Sequence, residues 1–114
     1  GEAPRPAKAA VTQAIDRGAE TLKREADLRR DSLHVFRRLQ AAEAPEERAA
    51  LLREAVALFD AIGQRFSGGM ASVTSARIVY CNALMECGGF DKLRECQDSE
   101  DPAAAALVER VVPI

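Results

Sequence analysis

The sequence predicts an all-α fold, an antiparallel bundle of about five helices opened by one long helix. Three observations carry this expectation. The 114 residues include 22 Ala but no Trp, one Tyr and four Phe, a composition rich in helix formers and poor in sheet formers. Apolar side chains recur at spacings of three and four, and no stretch alternates with period two. Gly-Gly pairs and prolines stand at the borders of the periodic stretches. The length suits a single domain with a real core. No apolar run approaches the ~20 residues needed to span a bilayer.

Residues 1–6 hold two prolines and read as a linker or tag remnant. A single helical domain is expected over 7–114, beginning with a helix over 7–42. Ile15, Ala19, Leu22, Ala26, Arg29, Leu33 and Phe36 are spaced 4, 3, 4, 3, 4, 3 and form one stripe. Leu28, Ser32, Val35 and Leu39 form a second stripe beside its C-terminal half. Such a helix would be about 54 Å long. A globule of this size has a radius of gyration of only ~13 Å. The N-terminal half should therefore outrun the bundle or the helix should break.

The second helix is expected over 45–66. Pro45 suits its first position, and Glu46 and Glu47 suit the positive end of its dipole. Leu52, Ala55, Phe59, Ile62 and Phe66 make its apolar face, and Ser67-Gly68-Gly69 ends it. The third helix, over 71–87, has Val73, Ala76, Tyr80, Ala83, Leu84 and Cys87 on one face, widened by Ile78, Cys81 and Met85. It is expected to be the most buried. Gly88-Gly89 ends it, a short helix follows over 90–97, and Asp101-Pro102 opens a last helix over 102–112.

The residues that could carry chemistry are few. His34 is the single histidine, set among Arg37, Arg38 and Asp31, with no serine or cysteine nucleophile placed to pair with it. It reads as a solvated surface side chain. Cys81, Cys87 and Cys96 lie six and nine residues apart, without the short paired spacing of structural zinc. Their odd number argues against a disulfide framework and for a reducing, intracellular setting, cytoplasmic or nuclear. Neither Gly-Gly pair has the context of a phosphate loop. The expectation is no catalytic residue, no metal and no cofactor, so not an enzyme.

The formal net charge of −2 is an average over an uneven chain. Residues 1–40 carry +3 and residues 41–114 carry −5. Arginines at 24, 29, 30, 37 and 38 gather on the first helix, laced by Glu20–Arg24, Glu25–Arg29 and Asp27–Arg30 spacings. With no basic surplus overall and no interleaved aromatics, nucleic acid is not the expected partner.

From Ser75 to Val112 the chain resembles an armadillo-type repeat: a helix, Gly88-Gly89, a helix opening with Phe90 and Leu93, an acidic turn, and Asp101-Pro102 opening a helix of small residues. The resemblance covers about a third of the chain. It implies an armadillo-like C-terminal half in which the glycines allow the sharp turn and Phe90 and Leu93 anchor the core. It also implies use in binding peptides and partner proteins.

The function expected is therefore that of a non-enzymatic protein-binding module or scaffold within a larger intracellular protein. It would take a partner helix or peptide in a helical groove beside the first helix, at Ile15, Leu22, Arg29, Arg30, Arg37 and Arg38. Two alternatives stand beside it. One is self-association as a homodimer through the 4–3 stripe. The other is docking of the arginine cluster on an anionic partner.

Overall fold

Proline at the first helical position starts two of the helices, and Gly-Gly turns separate two pairs of them. The structure, a computed structural model, describes residues 8–98 and 101–114, with side chains at 18–96 and 101–114. The described residues form α1 (Lys8–Ala41), α2 (Pro45–Arg65), α3 (Met70–Glu86), α4 (Gly89–Asp98) and α5 (Pro102–Val111), with no strand. The helix ends that fall inside the described residues lie within one residue of the sequence-based expectation. The linker expected at 1–6 lies outside the described residues.

The local chemistry explains these boundaries. Ala44 is extended, Pro45 follows, and Glu46 and Glu47 occupy the first turn of α2. Gly69 has φ +128° and Gly88 has φ +66°, and both serve as turn points where other residues would be strained. The Asp101 carboxylate accepts a hydrogen bond from the Ala103 N–H at 2.9 Å and caps α5.

Helix α2 packs against α1, α3 and α5, while α4 crosses the ends of α1, α3 and α5. Arg24 donates to the Arg65 carbonyl and Arg38 pairs with Glu54, which sets α1 and α2 antiparallel. The aromatic core lies where the first three helices meet. Tyr80 is fully buried, edge-on to Phe36 with centroids 5.0 Å apart and to Phe59 at 5.3 Å. Its hydroxyl donates to the Ala55 carbonyl at 2.6 Å. One side chain thus ties three helices together by shape and by one buried hydrogen bond.

Two expectations, on α3 and α4, are corrected by the packing. The buried stripe of α1 is Leu28, Ser32, Val35 and Leu39, joined by Leu33 and Phe36, whereas Ala19, Leu22 and Ala26 are exposed. At 100° per residue the two stripes point about 120° apart; the bundle covers both from Leu28 onward, the first at Leu33 and Phe36, and leaves the first uncovered at Ala19, Leu22 and Ala26. Helix α3 is not apolar-covered all round: Ile78 and Met85, one face apart from Tyr80 and Ala83, are half exposed. Phe90 is also partly exposed, and Leu93 alone of the two expected anchors is buried.

Upstream of Leu28 the inward side of α1 turns polar. Glu25 there accepts a hydrogen bond from the Ser75 hydroxyl at 3.0 Å. The chain consequently measures 70 × 22 × 19 Å along its principal axes, with a radius of gyration of 18.1 Å. The 34 residues of α1 run about 51 Å without a break, which accounts for most of the long axis.

Ser32 is the one buried polar side chain of the described core, and its hydroxyl has no hydrogen-bond partner. An unpartnered buried hydroxyl is costly, and serine is also a poorer helix former than alanine. Ser32→Ala should therefore raise stability by about 1 kcal/mol. Urea unfolding would show this as a higher midpoint at unchanged slope.

Candidate functional site

The arginines of α1 are exposed but do not form one basic patch. Arg29 donates to both carboxylate oxygens of Glu86 on α3, at 2.8 and 3.3 Å. This bond holds the Glu86 carboxyl below its ordinary pKa and the Arg29 guanidinium above its own. Arg30 lies 3.2 Å from Asp27 and 3.5 Å from Asp31, and Arg38 lies 3.5 Å from Glu54. Of the expected laced pairs, Asp27–Arg30 forms, while Glu25 and Arg29 turn to α3 instead. Arg37 stands near Glu86 and helps to lower its pKa.

Leu22 is 68% exposed on the uncovered side of α1, and the side chain of Ile15 lies outside the described residues. By helical position Leu22, Arg29, Arg30 and Arg37 fall within about 100° of one another on α1, and Arg38 lies beyond them. Arg30 faces a polar recess shared with Arg24, Asp31 and Arg65. Arg29 faces α3, and Arg38 faces α2.

A different groove has the mixture of apolar floor and placed charge that docking requires. It lies between α2, α3 and the end of α5, with a volume of about 640 Å³. Phe59 forms its base, Ile78 and Ile114 stand at its sides, and Arg77 and Arg110 line it. Ile78 is 46% and Ile114 48% exposed. The neighbouring recess between α2 and α5, about 480 Å³, is walled by Val56 and small alanines and presents no exposed large apolar side chain.

The two arginines of the larger groove differ in their engagement. Arg110 donates through Nε to Asp60 Oδ1 at 2.7 Å and through Nη2 to Oδ2 at 3.1 Å, and through Nη1 to the Ala106 carbonyl at 2.9 Å. The Asp60 hydrogen bond raises the Arg110 pKa. Arg77 sits with its guanidinium carbon 5.4 Å from the centroid of the Phe59 ring, a cation–π contact. No carboxylate lies within ion-pair distance of it among the described residues.

The sequence reading placed Ile78 in the widened core face of the third helix. The signal for the groove was nonetheless present. Ile78 lies about 180° around the helix from the centre of the Val73, Ala76, Tyr80 and Ala83 face, on the same side as Met85 seven residues later. Residues on opposite sides of one helix cannot share one core.

Other chemistry is weakly provided for. Cys81, Cys87 and Cys96 are unbridged, and burial raises the pKa of each, which keeps them as thiols rather than reactive thiolates near neutral pH. His34 is exposed. Among the described residues no group of three His, Cys, Asp or Glu side chains could hold a metal ion. No described helix is long and apolar enough to cross a membrane. Comparison with protein-family models, curated proteins and solved structures finds no match to this chain.

Proposed function

We propose that the chain is a non-enzymatic protein-binding module that seats a partner helix or peptide in the groove between α2, α3 and α5. The observation that carries this is the pair Ile78 and Ile114, each about half exposed beside the buried Phe59. Isoleucines so placed lose water-exposed area only when a partner covers them, worth up to about 1.5–3 kcal/mol for a fully buried side chain. The three unbridged thiols fit a reducing intracellular setting. The Gly88 turn and the buried Leu93 support, but do not extend, the armadillo-like reading of the C-terminal half.

Selection from a displayed random dodecapeptide library tests this. The wild-type chain should enrich peptides bearing an aliphatic anchor, and Ile78→Asp should bind them at least tenfold more weakly while melting at the same temperature. Absence of enrichment, or equal binding by the variant, would sink the reading.

One observation favours a second reading, self-association through α1. Ala19, Leu22 and Ala26 leave an exposed apolar side on a helix whose packing stripe ends at Leu28. Docking through the α1 arginines has less support, because Arg29, Arg30 and Arg38 each already face a carboxylate.

A further inference from the structure

We infer that the groove reads an acidic–aliphatic segment of a partner protein, with the Arg77 guanidinium binding an Asp or Glu side chain and Ile78 and Ile114 covering the adjacent aliphatic residue. This rests on the docking reading above and names the chemistry of its occupant. The two arginines of the groove differ in their ion pairing. Arg110 and Asp60 neutralise each other through two hydrogen bonds, and the third Arg110 nitrogen is taken by a backbone carbonyl. Arg77, 5.4 Å from the Phe59 ring centroid, has no carboxylate within ion-pair distance among the described residues. A guanidinium in a cation–π contact keeps N–H donors for an acceptor. A carboxylate matches a guanidinium with two parallel hydrogen bonds. A lysine or arginine on the partner would instead meet a like charge. The occupant is therefore a segment that carries an aliphatic side chain and a carboxylate within about one helical turn of each other.

The same dodecapeptide library tests this when every peptide is fused at its C-terminus, so that no free terminal carboxylate is present. Wild-type selection should enrich Asp or Glu next to the aliphatic anchor. Changing that residue to Gln or Asn in a recovered peptide should weaken binding at least tenfold, and raised salt should weaken the acidic peptide more than its amide. Arg77→Ala should bind acid and amide peptides alike, and Arg77→Lys should restore part of the difference. Melting curves for both variants control for loss of the Phe59 contact.

If peptides are enriched without acidic preference but still depend on Ile78, docking stands and the charge assignment is overturned. If enrichment appears only when the library presents free C-termini, the terminal carboxylate is the ligand and the side-chain assignment is overturned. If no peptide is enriched, both readings fall.

Discussion

Tyr80→Ala is expected to lower the unfolding free energy by about 3–5 kcal/mol, the range for removing a large buried aromatic. The ring is fully buried and meets Phe36 and Phe59 edge-on, so the cavity would open where α1, α2 and α3 converge. Domains of this size keep only about 5–15 kcal/mol in hand, so the variant should be close to unfolding at room temperature. Denaturant titration followed by circular dichroism measures the loss. A shift below about 1 kcal/mol would show that the core is not organised around this ring.

Tyr80→Phe separates the hydroxyl from the ring. The bond to the Ala55 carbonyl is worth about 1 kcal/mol net. Burial, reinforced by Cys81 and Asp60 and opposed by Arg110, pushes the Tyr80 pKa far above the ordinary tyrosine value. The folded chain therefore keeps a proton that the unfolded chain releases near pH 10. That contribution is fully present below pH 10 and falls as pH rises beyond it. Alkaline titration of stability should show this decline in the wild type and a shallower one in Tyr80→Phe.

Gly89→Ala carries the second large effect. An added Cβ would overlap the Leu84 side chain, coming within 2.7 Å of its Cγ, and would lie 2.8 Å from the Leu84 carbonyl oxygen. The side chain could turn aside, but the carbonyl belongs to the last turns of α3 and cannot move without shifting the helix. The cost should reach about 3 kcal/mol, the upper part of the overpacking range. Gly88→Ala makes a matched control. Its Cβ meets only the Gln40 side chain at 3.8 Å, and its penalty comes from the positive φ of +66°. That penalty is about 1–2 kcal/mol, and asparagine should ease it. Melting temperatures of the two alanine variants would rank the residues, and a Gly88 variant less stable than its Gly89 counterpart would reverse the assignment.

The helices themselves were legible because their signals are local. Pro45, Asp101-Pro102 and the Gly-Gly pairs punctuate the chain, and three- to four-residue spacing fills the intervals. The inward side of each helix was less legible. On α1, the stripe ending at Phe36 is buried at Leu33 and Phe36, where it joins the one through Leu28 and Leu39, and is exposed at Ala19, Leu22 and Ala26. Length of pattern does not say which side a neighbour will cover. The partners of the arginines were hidden for the same reason. Spacing along one helix pairs Glu25 with Arg29, but α3 brings Ser75 and Glu86 nearer. The groove was hidden because it needs Phe59, Ile78 and Ile114 from three separate elements.

The return of α5 to α2 has a consequence for how the groove behaves in time. Arg110 and Asp60 are 50 residues apart, whereas the α1–α2 and α2–α3 contacts close over short connections. Closing the longer loop has the larger entropic cost, so docking of α5 should come late in folding and be released early in partial unfolding. The groove wall made by Arg110 and Ile114 exists only after that closure. Occupancy of the groove and attachment of α5 are then thermodynamically linked, and a bound segment should slow amide exchange in α5 before it slows exchange anywhere else.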